Sequence, residues 1–131
     1  MIKKFLEWVH SKIYIDEKPR GKIIHMCEVY WCALGENIGD EENGKGDAFT
    51  RPVLIIKKFN NNIFWGIPMS TKLKDNKYYI RVILKNTPQS VMISQLRVLD
   101  VKRLEQYIGY ISRNDFHKVR SSLIEVLSDN I

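Results

Sequence analysis

At 131 residues the chain has the length of one domain and can bury most of its apolar surface. A net charge of +6 and a pI near 9.3 favour an anionic partner. Glu7 and His10 break the only N-terminal apolar run, so neither a signal peptide nor a membrane span is expected, and His10, His25 and His117 are too scattered to suggest a metal site.

Ile2, Phe5, Leu6, Val9 and Ile13 follow helical spacing, which predicts a helix over 2–15 whose apolar stripe packs on the rest of the fold. A polar turn with Pro19 and Gly21 follows. Met26 to Leu34 reads as a first strand. Its two cysteines, Cys27 and Cys32, are five residues apart on that strand, face opposite sides and cannot bridge. Reduced thiols in turn point to a cytoplasmic setting.

Gly35 to Gly46 is a long loop rich in Gly, Asn and acid; without a Lys-Ser/Thr ending it is no P-loop. A loop of this length is usually functional, and it reads as a mobile flap over a site. Val53 to Phe59 is apolar and β-branched, a buried second strand. Asn60-Asn61-Asn62 predicts a hairpin turn through left-handed backbone, returning as a third strand over Ile63 to Met69.

Lys72 to Lys77 is a basic turn. Strands are predicted over Tyr78 to Leu84 and Val91 to Ile93, with Gln95 to Asp100 continuing the sheet. A short helix is expected over Val101 to Tyr107. The final helix starts near Ser112, where Ser-Arg-Asn-Asp resembles a capping box, and its stripe is Phe116, Val119, Leu123 and Leu127. Short strands flanked by two helices predict an α+β, mostly β domain: a small, SH3-like, partly open barrel with an added N-terminal helix over 1–20 and a core over 26–131.

Charge is placed unevenly. From Arg51 to Arg120 there are 14 Lys/Arg against 4 Asp/Glu, whereas acids gather between Glu36 and Asp47. With aromatics interleaved, that distribution tilts toward nucleic acid.

Thr50-Arg51-Pro52 at the mouth of the second strand carries the most information. Pro52 has no N–H for a ladder and belongs at a strand start or edge, and it holds Arg51 extended. Arg51 therefore presents an always-charged guanidinium suited to bidentate phosphate binding. The third strand ends in Ser70-Thr71-Lys72, bringing two hydroxyls and a cation. An arginine and a hydroxyl at the ends of neighbouring strands suit a phosphodiester. The bland alternatives are an Arg51 ion pair with a flap acid such as Glu41, and strand-end hydroxyls that cap backbone. Lys72, Lys74 and Lys77 are candidate backbone contacts. Trp31, Phe49, Trp65 and Tyr78 could each stack an unpaired base, but most aromatics of a small barrel belong to its core, and Trp31, Trp65 and Tyr78 are expected there. Phe49, on the flap beside Arg51, is the exception available to stack a base.

In order along the chain, Cys27-Glu28-Val29-Tyr30-Trp31, the flap with Arg51-Pro52-Val53-Leu54-Ile55-Ile56, Ile67-Pro68-Met69-Ser70-Thr71, and Ser94-Gln95-Leu96-Arg97 with Lys102-Arg103-Leu104 and Ile108-Gly109 resemble the MazF/PemK family of toxin–antitoxin ribonucleases. The resemblance spans Glu28 to about Gly109. Cys27 stands where the family usually has glycine, the flap is longer, and the catalytic threonine falls on Ser70, with Thr71 beside it. The resemblance implies a homodimeric CcdB/MazF-type barrel that cuts single-stranded RNA without metal or cofactor. It further implies neutralisation by a cognate antitoxin with an acidic, disordered segment; operator DNA would be bound only by the toxin–antitoxin complex. Arg51, Ser70 and Thr71 are then the catalytic group, and Gln95, Phe49, Lys72, Lys74, Glu41 and Lys45 the substrate side, Gln95 either holding the Arg51 loop or reading a base edge. Without metal the nucleophile is the RNA's own 2′-OH, giving a 2′,3′-cyclic phosphate and a 5′-OH end. The alternative is a non-catalytic binding module of the same fold acting on gyrase or DNA.

Overall fold

The computed structural model describes residues 3–46 and 48–129; Ile2, the first residue of the predicted N-terminal stripe, lies outside them. Seven antiparallel strands carry a helix at each end: α1 (Phe5–Asp16), β1 (Glu28–Ala33), β2 (Thr50–Lys58), β3 (Ile63–Ser70), β4 (Tyr79–Leu84), β5 (Thr87–Met92), β6 (Arg97–Asp100), β7 (Leu104–Tyr110) and α2 (Arg113–Leu127). The sheet runs β4-β5-β3-β2-β1-β7, and β6 pairs with β3. This is the mostly-β, helix-flanked architecture predicted from the sequence.

β2 sits at the centre and is buried on both faces. Val53 and Ile55 enter one apolar cluster with Tyr30, Cys32, Phe64 and Leu99. Leu54 and Ile56 enter the other, with Val29, Ile67, Met69 and the Phe116 and Val119 of α2. A strand buried on both sides needs a continuous apolar run, which explains Val-Leu-Ile-Ile. Pro52 precedes the Val53↔Pro68 pair at which the β2–β3 ladder begins, so its missing N–H costs that ladder nothing.

Five local expectations are corrected. The predicted helix over 101–107 is a 3₁₀ turn at Val101–Arg103 followed by β7, which pairs with β1. The hairpin at Asn60–Asn62 closes through an Asx turn: Asn60 Oδ1 accepts from the Asn62 and Ile63 N–H groups at 2.7 and 2.9 Å, and no left-handed backbone is used there. The α1 stripe faces solvent, with Phe5, Leu6, Val9 and Ile13 between 45 and 78 % exposed, while Trp8 and Ile15 are buried. Trp8 sets this rotation. Its indole stacks on Phe49 (5.5 Å between centroids), lies under the Arg103 guanidinium, and fits against Gly35, whose φ of +82° and absent Cβ leave room for the ring. The C-terminal stripe holds for Phe116, Val119 and Leu123, but Leu127 is exposed. Finally, only half of the capping box forms. Ser112 Oγ accepts from the Asp115 N–H at 3.1 Å, while the Asp115 carboxylate accepts from Ile83 N–H on β4.

Cys27 lies just ahead of β1 with φ +77°, in left-handed backbone. That conformation favours glycine and costs a side-chain-bearing residue about 1 kcal/mol. Cys27→Gly is therefore expected to be more stable than Cys27→Ala by about 1 kcal/mol, or roughly 3–5 °C in thermal unfolding. Both variants lose the same half-buried thiol, so the comparison isolates the backbone; equal melting temperatures would remove the strain from the account.

Candidate functional site

Arg51 is the second residue of β2 and lies opposite Cys32 in the β1 ladder. Its side chain turns under the flap and is only 8 % exposed. Nε donates to the Asn43 carbonyl (3.0 Å), Nη1 to the Met69 carbonyl (3.3 Å), and Nη2 meets Glu42 Oε1 at 2.7 Å. These contacts fix the plane of the guanidinium. The bland alternative, an ion pair between Arg51 and a flap acid, is thus present in the free chain, with Glu42 as the acid; Glu41, the example named for it, accepts from Ile38 N–H instead.

The flap is tied down. Asn37 donates to the Leu34 and Glu42 carbonyls and takes the Asn43 side-chain oxygen on its own N–H. Gly44 N–H donates to the Gly35 carbonyl, and a Cβ on Gly44 would stand 1.6 Å from the Phe49 carbonyl oxygen, so only glycine lets the two flap limbs approach this closely. Gln95 locks the outer limb: its Oε1 accepts from Glu42 N–H at 3.1 Å and its Nε2 donates to the Asp40 carbonyl. Of its two expected roles, the geometry provides the first: it holds the loop that carries Glu42 to Arg51.

Ser70 ends β3, opposite Ser90 of β5. Ser70 Oγ accepts from Lys72 N–H (3.1 Å), and Ser90 Oγ donates to the Lys72 carbonyl (2.8 Å). The turn after β3 is thus pinned from both sides, and the Ser70 O–H retains a proton to donate. Arg51, Ser70 and Thr71 line one cleft of about 590 Å³ together with Trp31, Lys45, Gln89 and Ile108. A strand-start arginine and two strand-end hydroxyls meet there, with Lys45 from the flap. Lys72 and Lys74 are exposed on the turn beyond β3 and outside this lining, and Lys74 lies 5.0 Å from the Tyr79 ring centre. Lys77 pairs with Asp129.

The aromatics reverse their expected roles. Phe49, buried to 3 % and packed on Trp8, leaves no free face for a base. Its backbone is left-handed, with φ +56°. Trp31, Trp65 and Tyr78, expected in the core, are exposed, and Trp31 forms a wall of the cleft. Alternation along β1 puts Trp31 on the face opposite Tyr30 and Cys32, the face it shares with the buried Val29 and Ala33, and Trp31 is the one exposed residue of the strand. The sequence reading did not name Glu42 or Gln89 as parts of this site, and no local pattern marks either; Trp31 was a stacking candidate for which the core was the expected place.

Neither cysteine offers a thiolate. Burial pushes the Cys32 thiol up to about 12 and also raises Cys27. Among the described residues no group of three His, Cys, Asp or Glu is placed to hold a metal ion, and no helix is long and apolar enough to cross a membrane.

Residues 26–127 match the family model of PemK-like, MazF-like toxins of type II toxin–antitoxin systems. No curated protein is similar enough in sequence to match. Solved structures share the fold at low identity. A crystal structure of MazF from Deinococcus radiodurans aligns with a TM-score of 0.67 at 15 % identity, over 83 % of this chain and 100 % of that one. An endoribonuclease in complex with its cognate antitoxin, from a Mycobacterial species, gives 0.61 at 16 %, over 83 % and 99 %. The Mycobacterium tuberculosis toxin MazF-mt6 gives 0.59 at 15 %, over 79 % and 99 %.

Proposed function

Given that the chain belongs to the PemK-like, MazF-like toxin family of type II toxin–antitoxin systems, we propose that it is an endoribonuclease that cuts single-stranded RNA without metal. The observation that carries this reading is the convergence of Arg51, Ser70 and Thr71 on one cleft. In the proposed reaction the 2′-oxygen attacks the adjacent phosphorus while the bond to the 5′-oxygen breaks. The 2′-OH loses its proton and the 5′-oxygen gains one, so the step is a transesterification that consumes no water. The pentacovalent transition state carries more charge on its non-bridging oxygens than the diester. A guanidinium oriented by the Asn43 and Met69 carbonyls meets that charge once the Glu42 carboxylate on Nη2 has been displaced. Ser70 or Thr71 donates to a non-bridging oxygen or orients the 2′-OH. Lys45 adds charge attraction for the phosphate chain.

As partners we propose a second copy of the chain and a cognate antitoxin. The +6 net charge suits an acidic segment that orders on binding, and one solved relative is described as an endoribonuclease with its antitoxin. The test is to incubate the purified protein with a long single-stranded RNA in excess EDTA and analyse the ends. Discrete fragments bearing 5′-OH and 2′,3′-cyclic phosphate ends, formed at the same rate with and without EDTA, are expected. Intact RNA from folded protein would discard the ribonuclease reading in favour of a binding module, with gyrase the next target to assay.

A further inference from the structure

Gln89 Oε1 is a buried side-chain oxygen with no hydrogen-bond partner among the described residues. It is not in a remote part of the core. Gln89 lies on β5 beside Ser90, which pairs with Ser70, and it lines the same cleft as Arg51, Ser70 and Thr71. Continuing the Ser70↔Ser90 register by one residue places Gln89 next to Thr71. A buried acceptor without a donor is destabilising, and proteins keep few of them. Oε1 is closed to solvent in the free chain, so the carboxamide must turn toward the cleft it borders before a donor carried by the substrate can reach the oxygen.

The chemistry of RNA narrows what that donor is. A phosphodiester has only acceptor oxygens at neutral pH and cannot satisfy Oε1. The 2′-OH beside the scissile phosphate is occupied as nucleophile. The 2′-OH groups of the flanking riboses and the base edges remain, and of these a base edge, where an N–H or exocyclic amine stands next to a ring acceptor, is the one that uses both ends of a carboxamide. A carboxamide, with one acceptor and two donors on adjacent atoms, matches such an edge and adds no charge. We propose that Gln89 is a specificity-determining residue that reads the edge of the base held beside the scissile phosphate, Oε1 accepting from the base and Nε2 donating to it. Division of labour follows: Arg51 and Lys45 hold the backbone, which carries no sequence, and Gln89 supplies discrimination.

This inference rests on the ribonuclease reading, and its test separates the two. Cut sites in a long single-stranded RNA are mapped by sequencing 5′-OH ends for the wild type, Gln89→Met and Gln89→Glu, with thermal unfolding of each. Wild type is expected to show a base preference at a position next to the cut. Gln89→Met, similar in size but apolar, is expected to relax that preference about ten- to hundredfold, leave preferences elsewhere intact, and melt at the same temperature or higher because the orphan oxygen is gone. Gln89→Glu keeps the acceptor and loses the donor, and is expected to shift the preference toward bases presenting an amine, cytosine foremost. It also serves if the Met variant fails to fold. Unchanged preferences in both variants overturn the proposal. A uniform slowing at all sites, or a melting temperature several degrees lower for Gln89→Met, assigns Gln89 a sugar contact or a structural role and overturns it too. A wild type that cuts no RNA overturns the ribonuclease reading itself, and no variant is needed to see it.

Discussion

Arg51→Ala is expected to lower the rate of RNA cleavage by about a thousandfold or more while the chain remains folded. The magnitude follows from the role. A preorganised donor at a developing oxyanion is worth about 10²–10³ in rate, and a positioned arginine at a phosphoryl centre about 10³–10⁵. The same substitution carries a structural cost, because Glu42 and the carbonyls of Asn43 and Met69 lose their partner. Breaking such an arrangement destabilises by roughly 2–3 kcal/mol. Two controls keep the effects apart. Circular dichroism and thermal unfolding show whether the fold persists at the assay temperature. Arg51→Lys keeps a positive charge but loses the fork that reaches two carbonyls and a carboxylate together, so it is expected to fold better than the alanine variant yet recover only a minor part of the rate. Cleavage at the wild-type rate by folded Arg51→Ala would move the active site elsewhere.

How much of this was legible in the sequence depended on whether the signal was local. The continuous run Val53–Ile56 announced a strand buried on both faces, and Pro52 marked its start. The α2 cap was equally local, being a hydroxyl three residues before the N–H it takes. Residues Leu104–Tyr110 misled because Leu, Glu and Gln are helix formers; the partner strand β1, some seventy residues earlier, decides their conformation. The α1 stripe misled in another way. Four medium apolar residues at helical spacing outnumber Trp8, but a single indole with Phe49, Gly35 and Arg103 around it outweighs them in the folded chain. That Arg51, Ser70 and Thr71 would border one cleft was readable because their neighbours in sequence orient them. Glu42 was not, since the choice between Glu41 and Glu42 rests on how Asn37, Asn43 and Gln95 fold the flap. Gln89 carries no sequence signal at all; only the missing partner of its oxygen sets it apart.

Glu42→Gln is expected to act on RNA in the opposite direction from Arg51→Ala, binding it about tenfold more tightly, while the free protein again becomes less stable. In the structure the Glu42 carboxylate occupies Nη2 of Arg51 at 2.7 Å, with the two side chains only 23 % and 10 % exposed. A substrate phosphate that engages Arg51 through both Nη groups must first displace it. The carboxylate is therefore a competing anion on the far side of a closed flap, and the strength of that competition sets how much binding energy is lost in opening the site. Glutamine retains an oxygen for the hydrogen bond but removes the charge. For a pair this far from water the difference is on the order of 1–2 kcal/mol, enough to lower the melting temperature by a few degrees and to tighten RNA binding about tenfold. Measured on a 2′-deoxy-substituted oligonucleotide that cannot be cut, affinity reports this latch without chemistry. The rate of cutting then supplies the decisive contrast. If kcat/KM rises with affinity, Glu42 is a latch and Arg51 works alone on the transition state. If binding tightens but cleavage is lost, the carboxylate that pairs with Arg51 is also the acceptor of the 2′-OH proton, and flap and strand form one catalytic pair.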